Sequence, residues 1–299
     1  MSAPAFSFLA SALGFVEAHA HWFLLAWFVG VFALERVCRA FPPKPAAAGG
    51  RVRRWLTGIA FGVLNHSVLS SLLVVPLLVW ACGVSWWAWP AWVPSGLLIA
   101  LTILALDLAG YAFHRASHAS DWLWRFHQVH HLDEDMDATT GLRVHGAEKL
   151  MAAAVAAGVI VALHLPWAGV AVHAAAAFAC ATFHHSNVRL PGWLERVLAP
   201  FLITPAFHYP HHHEQKQDTN SNYGFIFPWW DRLFGTYNPR RRTAAWRMGL
   251  DYSPDLTCAG LLCEPFRPTP LWERAKAPAA AGEKSAARAE EDALASAAS

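Results

Sequence analysis

Long apolar runs separated by short polar stretches dominate the first two thirds of the chain. About 20 apolar helical residues cross the ~30 Å hydrocarbon core of a bilayer, and the run Leu56–Trp80 is long enough to do so. The last two runs are shorter and break at Pro166, which is typical of a helical hairpin that dips into or crosses the membrane. The runs are Trp22–Leu34 (extended backwards through residues 6–15), Leu56–Trp80, Leu97–Phe113, Met151–Leu165 and Ala168–Phe183. We therefore predict an all-α, multi-pass transmembrane helical bundle.

The loops between the runs differ in charge, and this difference predicts the orientation of the bundle. The loop after the first run has six basic residues and one acid, Glu35; the basic residues are Arg36, Arg39, Lys44, Arg51, Arg53 and Arg54. Such an excess marks the cytoplasmic side. The next loop, residues 83–96, has no charge but holds four Trp, as an interfacial belt does. Counting the membrane crossings that follow this loop, we predict that every histidine group lies on the cytoplasmic face of the membrane. If the protein is bacterial, this membrane is the inner membrane.

Composition supports a membrane protein and excludes several other classes. The chain is 55% hydrophobic and only 15% charged, against about 25% charged in soluble domains. A net charge of +2 gives no electrostatic footprint for nucleic acid. The five scattered cysteines do not form an iron–sulfur or structural zinc motif. The start of the chain lacks a basic n-region, so we expect no cleaved signal peptide.

Histidines carry the chemistry that this sequence predicts. The pattern H-x-x-H-H occurs twice, at His127, His130 and His131 and again at His208, His211 and His212, and an i, i+4 pair, His114 and His118, precedes the first triplet. Residues three and four apart share one helix face, so each triplet can aim its imidazoles at a common point. Converging neutral imidazoles make a transition-metal site.

The number of histidines predicts two metal ions. Eight belong to the three main groups, with His145 and His185 as additions, whereas one tetrahedral zinc takes four ligands. No thiolates accompany them, and the Glu-x-x-His motif of soluble di-iron bundles is absent. An all-imidazole site at the membrane surface fits two irons that handle dioxygen better than it fits a structural zinc site or a soluble di-iron bundle. Prolines break residues 195–237 into short helices, which we expect to form a cytoplasmic-face cap that holds the dimetal site.

The order of these motifs resembles the fatty acid hydroxylase/sterol desaturase superfamily. The resemblance covers residues 107–237, our motif core, and includes H-x3-H, both H-x2-H-H boxes, Arg143-x-His145, His185-Ser186-Asn187, Asn222-Tyr223-Gly224 and residues 230–236. It implies a membrane-embedded di-iron enzyme that uses O2 to hydroxylate or desaturate a membrane lipid. The implied ligands are His114, His118, His127, His130, His131, His208, His211 and His212, with His185 and His145 added. Two departures from the pattern are Gly146, where proline is usual, and Pro210 inside the third box.

The rest of the chain follows from this interpretation. Residues 1–275 are predicted as one membrane-embedded domain and residues 276–299 as a disordered tail, because the tail lacks apolar faces. No Gly-rich dinucleotide turn, cysteine cluster or haem-binding domain is visible, so a separate electron-donor protein is expected. Sterol, fatty acyl and related lipids are all candidate substrates, and hydroxylation and desaturation both stay open.

Several polar residues have two interpretations at this point. Asp107 lies two turns before His114, and we predict that it accepts a hydrogen bond from a ligand histidine; an interhelical contact is the alternative. Asn187 either completes a metal shell or caps the following loop. For Arg143, Glu148 and Asp231 the choice is between orienting a ligand and a surface ion pair. The remaining histidines are interpreted as satisfied polar residues (His19, His21, His66, His164 and His173, with Asn65 beside His66) or as neighbours of the ligands (His184 and His213).

Two other functions compete with the oxygenase. A metal transporter would need ligands along a path through the bilayer, whereas these histidines gather at the ends of spans. A bis-histidine haem protein would use histidines facing each other from two spans, such as His66, His164 or His173, and would leave the three boxes unexplained.

Overall fold

The computed structural model describes residues 21–42, 50–84, 86–243, 246–252 and 256–273, and this part of the chain is helical without a sheet. This part also contains two isolated antiparallel β-bridges, which pair Arg39 with Val188 and His213 with Met248. Residues 6–15, Lys44 and the predicted tail lie outside the described residues. The predicted all-α class is confirmed.

Within the described ranges, six helices form the body of the molecule. The first, α1, covers residues 21–37. Four others are long and apolar enough to cross a membrane: α2 (Gly50–Gly83), α3 (Ser95–Ala119), α5 (Gly146–Leu163) and α6 (Trp167–His185). Between them, α4 (Asp121–His131) carries the first histidine triplet. The hairpin of α5 and α6 therefore consists of two arms of 18 and 19 residues, each longer than the apolar pattern predicted.

The middle of α2 is wound as a π-helix from Val63 to Val74. The Ser70 hydroxyl bonds the Asn65 carbonyl at 2.9 Å, and the backbone N–H of Val75 bonds the Ser70 carbonyl; both contacts reach five residues back along the chain, which is the π-helical spacing. The Asn65 side chain donates to the Val144 carbonyl at 2.6 Å. The predicted polar contact of Asn65 is thus made with the segment that leads into α5.

The spans pack closely around α3, which contacts α4, α5 and α6. The apolar core between α2, α3, α5 and α6 includes Ala81, Leu106, Ile160 and Val170. At the crossing of α3 and α6, a Cβ added to Gly169 would lie 2.5 Å from the Cβ of Thr102. Glycine permits this approach because the Thr102 side chain occupies the space that a Cβ at position 169 would need.

Short helices cover one end of the bundle, as predicted from the prolines. They are α7 (Gly192–Leu198), α8 (Pro205–His208), α9 (Lys216–Thr219), α10 (Trp229–Leu233) and α11 (Cys258–Cys263). A 3-10 turn, Tyr209–His212, continues α8. Thr204 caps α8 by accepting from the N–H of Phe207 at 3.2 Å. Pro210 lies in the first turn of the 3-10 helix, where its missing N–H removes no helical hydrogen bond.

Candidate metal centre

Nine buried or half-buried imidazoles converge in two groups where the spans meet the cap. Within each group, one nitrogen of every ring lies within 4.8 Å of all the others. A metal ion held by imidazoles at about 2.1 Å has opposite ligands about 4.2 Å apart, so each group matches the span of one coordination sphere. The first group is His114, His118, His127, His131 and His211; the second is His130, His185, His208 and His212.

Each H-x-x-H-H triplet is divided between the two groups, which corrects the prediction that a triplet aims at one point. On α4, His127 and His131 belong to the first group and His130 to the second. At 100° per residue, positions i and i+4 differ by only about 40° around a helix, whereas i+3 points about 60° to the other side of i. The third box divides in the same way, with His211 in the first group and His208 and His212 in the second.

Five of the nine rings are fixed by a hydrogen bond from Nδ1 to an oxygen. A carbonyl or carboxylate oxygen only accepts, so Nδ1 carries the hydrogen and Nε2 of the neutral ring keeps its lone pair. The bonds are His114 to the Tyr223 carbonyl (2.8 Å), His118 to Asn220 Oδ1 (3.2 Å), His127 to Glu148 Oε1 (2.7 Å), His185 to the Ala181 carbonyl (2.7 Å) and His211 to the Ser221 carbonyl (2.7 Å).

The Nε2 atoms face one another at distances that suit metal ligands. His114 Nε2 lies 3.1 Å from His127 Nε2, and both rings have their hydrogen fixed on Nδ1, so two lone pairs oppose each other. A cation bound by both rings would replace this repulsion with coordination. Adjacent ligands about 2.1 Å from an octahedral ion lie about 3.0 Å apart, and His127 Nε2 to His131 Nε2 is 3.0 Å. In the second group, His130 Nε2 and His185 Nε2 are 2.9 Å apart.

Other ring nitrogens in the two groups lack any protein partner. Nε2 of His118, His211 and His212 is buried without a hydrogen bond, which is costly for a polar atom unless something else binds it. Burial first, and neighbouring imidazoles second, hold the pKa of His130 and His131 well below the ordinary value, so these rings are neutral and able to bind a cation. The donor set therefore fits two transition-metal ions.

His145, predicted as an additional ligand, lies outside both groups. Its Nδ1 accepts from the N–H of Ala147 at 3.1 Å and so caps the start of α5. Its Nε2 donates to the Leu262 carbonyl at 3.1 Å. With both nitrogens engaged, His145 has no lone pair for a metal. The other nine predicted histidines are brought together, and their binding of metal stays a prediction.

Asp107 and Asn187 hold backbone segments in place and bond no clustered histidine. Asp107 accepts from the N–H of Ile226 (3.0 Å), the N–H of Phe227 (3.2 Å) and Trp230 Nε1 (2.8 Å). This ties the cap to α3, which corrects the prediction of a histidine partner. Asn187 clamps the segment after α1 by donating to the Phe41 carbonyl and accepting from its N–H, so the predicted role in a metal shell is replaced by a structural one.

The carboxylate that supports a clustered histidine is Glu148, a residue for which the sequence left two interpretations open. It lies in the first turn of α5 and accepts from His127. Gly146, the first departure from the motif, makes room for this turn, since a Cβ there would lie 2.7 Å from Leu69 Cδ1. Arg143 instead lies 3.6 Å from Asp133. Although burial alone would raise it, the pKa of Asp133 is lowered by Arg54 and Arg143.

A second support is the loop around Tyr223, whose carbonyl fixes His114. Asp231 accepts from the N–H groups of Tyr223 and Gly224, both at 2.8 Å. Asn222 adopts a left-handed conformation (φ 53°), which asparagine tolerates better than most residues, and its side chain donates to the Phe207 carbonyl at 2.7 Å. The Asn-Tyr-Gly and Trp-Asp segments belong to the motif, but their function as a backbone clamp depends on hydrogen bonds that the sequence does not show.

The two histidines beside the boxes occupy different surroundings. His184 is buried, and its ring centroid lies 4.3 Å from that of His208. His213 donates Nδ1–H to Asp218 at 2.7 Å and stacks on Trp246 at 4.2 Å. Both lie outside the two metal-sized groups, in agreement with their interpretation as neighbours.

Comparison with known proteins finds similarity in the segment that holds this centre. Residues 99–236 match the fatty acid hydroxylase family, and this region contains all nine clustered histidines. The chain is 32% identical over 142 residues to alkylglycerol monooxygenase of Xenopus tropicalis, covering 47% of this chain and 30% of the relative. It is 28% identical over 226 residues to alkylglycerol monooxygenase of Homo sapiens, covering 71% of this chain and 46% of the relative. It is 27% identical over 184 residues to ornithine lipid hydroxylase OlsE of Rhizobium tropici, covering 60% of this chain and 53% of the relative.

The chain thus spans only about a third to a half of these relatives. No solved structure matches it. The family match and the ordered histidine boxes refer to the same segment of the chain, residues 99–236. Through residues 99–236, just under half of its length, the chain is similar to the fatty acid hydroxylase family.

Proposed function

We propose that this protein is an O2-dependent di-iron oxidoreductase that hydroxylates a membrane lipid. The observation that carries the proposal is the pair of adjoining all-imidazole groups, one of five and one of four rings. Imidazole ligands suit iron among other transition metals, and the family match points to iron and O2 among these. Bound there, two irons would supply the redox chemistry with O2 that oxidises an unactivated C–H bond.

The protein's own residues prepare the centre for this chemistry. Glu148 and the carbonyls of Tyr223, Ala181 and Ser221 each hold one Nδ1–H, so the rings keep their orientation and direct Nε2 inwards. Hydrogen bonds of this kind also raise the basicity of a ligand imidazole. Burial of the rings excludes bulk water, which protects a reactive site from side reactions.

Hydroxylation is favoured over desaturation because the relatives above are named as a monooxygenase and a hydroxylase. The reaction consumes one lipid C–H bond, O2, two electrons and two protons, and it yields the hydroxylated lipid and water. The two electrons have to come from outside the centre, so we propose a separate electron-donor protein. The apolar spans α2, α3, α5 and α6 would hold the protein in the bilayer that contains the substrate.

We also propose that the metal centre lies on the cytoplasmic face. The C-terminal ends of α3 and α6 and the N-terminal end of α5 all contribute to it, so it lies at one end of the bundle. The basic segment between α1 and α2 adjoins the same end, since Arg54 bonds Asp133 at 3.0 Å. An excess of basic residues favours the cytoplasmic side.

The two competing functions fit the geometry less well. A transporter needs ligands spaced through the bilayer, whereas the nine imidazoles share one location. A haem would need a pair of facing histidines, but His66 packs on Phe178 at 4.9 Å and His164 lies 3.3 Å from the Val84 carbonyl. Neither arrangement explains the two clustered groups.

Isotope labelling tests the proposal directly. Iron-loaded protein in lipid nanodiscs, supplied with a chemical reductant and ¹⁸O2, should yield a lipid product that carries one ¹⁸O atom, detected by mass spectrometry. His130→Ala should abolish the product. His173→Gln, which changes a histidine outside both groups, serves as the matched control and should retain it. Product formation by metal-free protein or by the His130→Ala variant would contradict the proposal.

A further inference from the structure

A groove of about 400 Å³ runs along the outer side of α3, next to the face that carries the histidines. Its lining residues on α3 recur at helical spacing over the last three turns, and one further wall comes from the segment after α10. They are Leu108, Tyr111, Ala112, Arg115, Ala116, Ala119 and Phe234. His114 and His118 point away from this face by about 100°. The groove is therefore a separate surface and not part of the metal centre.

The shape of the groove suits an extended hydrocarbon chain. Ala112, Ala116 and Ala119 form a shallow floor in which small side chains expose the helix surface. Tyr111 and Phe234 stand beside it with their rings stacked at 5.5 Å and 19°. Its volume lies within the range of about 300–1,000 Å³ that ligand sites occupy. Because α3 is a candidate membrane span, the apolar material that reaches this groove is lipid.

One cation, Arg115, lies in this apolar lining. Its side chain is exposed, no acidic residue lines the groove, and no hydrogen bond or ion pair to Arg115 is present among the described residues. The carboxylate of Asp231, which interacts with it electrostatically, is already bound by the N–H groups of Tyr223 and Gly224. The guanidinium thus has all its donors available.

The depth of Arg115 matches the head-group region of a bilayer. Helix α3 ends at Ala119, four residues beyond Arg115, which corresponds to about 6 Å along the helix axis. A guanidinium presents paired N–H donors that bind a phosphate in a bidentate manner. Leu108 lies about 10 Å deeper on the same face, so a lipid with its phosphate at Arg115 would run its acyl chain along the alanine floor.

We propose that this groove binds one anionic glycerophospholipid, with the phosphate on Arg115 and one acyl chain against Ala112 and Ala116. A net negative head group complements a groove whose lining has one positive charge and no negative one. The proposal concerns a lipid site on the outer face of α3 and does not depend on hydroxylation at the metal centre.

The site would lie close to the metal centre without joining it. Tyr111, which forms one wall, bonds Thr236 Oγ1 at 2.9 Å, and its ring lies 6.2 Å from that of Tyr223. The Tyr223 carbonyl in turn holds His114. A lipid in the groove therefore packs against the support of a clustered histidine, with Tyr111 between them.

Native mass spectrometry of the detergent-purified protein tests this site. The protein is incubated with phosphatidylglycerol or phosphatidylcholine of matched chain length, and retained lipid is counted per chain. We expect one tightly retained phosphatidylglycerol. Losing a charge-assisted contact costs about tenfold in affinity, so Arg115→Gln should reduce phosphatidylglycerol retention about tenfold and remove the preference for the anionic lipid. Arg247→Gln, which removes an exposed arginine outside the groove, should behave like the wild type.

Two further arms separate the chain from the head group. Ala116→Phe fills the floor and should reduce retention of both lipids, with helical content by circular dichroism as the folding check. Soluble glycerol phosphate, which has a head group without a tail, should not displace bound lipid. Equal retention of phosphatidylglycerol by wild type and Arg115→Gln would overturn the proposal. So would full retention by a folded Ala116→Phe variant, or displacement by glycerol phosphate, which would indicate a site for free phosphate.

Discussion

Glu148 offers the sharpest test of how the centre is built, because its carboxylate supports a single ring, His127, in one of the two groups. The two are joined by a 2.7 Å contact from Nδ1 to Oε1, and Glu148 is 8% exposed. Removal of such an outer carboxylate lowers metal affinity about 10- to 100-fold, which equals about 1.4–2.7 kcal/mol. Gln can still accept from Nδ1–H but lacks the charge, so Glu148→Gln should fall near the lower figure and Glu148→Ala near the upper one.

The loss should affect one metal site and spare the other. His130, His185, His208 and His212 form the second group and have no contact with Glu148 among the described hydrogen bonds. A chelator titration of the metal-loaded variant should therefore show one metal ion released at 10- to 100-fold lower chelator concentration and the other released as in the wild type. Glu214→Gln is the matched control, since Glu214 pairs with Arg247.

The same titration can refute the reasoning. If Glu148→Ala releases both ions together while its circular dichroism spectrum is unchanged, the two groups do not act as separate sites. Unchanged affinity at both sites would show that the contact with His127 contributes nothing to metal binding.

Three further predictions address the supports of the centre. His145→Gln should retain both metal ions in metal analysis and lose about 1 kcal/mol of stability through the missing cap of α5, seen as a lower thermal unfolding temperature; loss of a metal would contradict the assignment. Asp107→Asn turns an amide N–H₂ towards three N–H donors and should lower the free energy of unfolding by about 1–3 kcal/mol, with a matching fall in unfolding temperature. Asp251→Asn, which changes an exposed aspartate, is the control and should leave the unfolding temperature unchanged. The metal-free protein should become less stable as the pH falls below 6.5, because its buried histidines stay neutral when folded while those of the unfolded chain bind protons. The histidines of the two groups that lie outside the spans and have a lowered pKa are His130, His131, His208, His211 and His212. At pH 5.5 each of them should cost about 1.4 kcal/mol of stability. An unfolding temperature that stays constant or rises between pH 7.5 and pH 5.5 would contradict this prediction.

Apolar runs along the chain were sufficient to predict the long helices, because a helix that lies in a bilayer needs a continuous apolar surface. The run Leu97–Phe113 became α3, Ser95–Ala119, and the helix continues past the apolar run because His114 and His118 face the centre. The histidines of the site were predictable from their spacing, since nine of the ten predicted histidines converge.

The assignment of partners was not predictable, because it depends on contacts between distant segments. Asp107 lies on the same helix face as His114, yet its partners are Ile226, Phe227 and Trp230, about 120 residues away. His145 lies in the motif, but its backbone position at the start of α5 turns Nδ1 towards the N–H of Ala147. Division of each triplet between two groups likewise requires both triplets to be placed in space.

The most direct test of the central claim is the number of iron ions per chain. The protein, loaded anaerobically with Fe(II) and desalted, should contain two irons per chain by metal analysis. His131→Ala and His208→Ala, which remove one ligand from the first and the second group respectively, should each retain one. A wild-type value of one or zero, or two irons retained in both variants, would contradict a centre built from two groups of imidazoles.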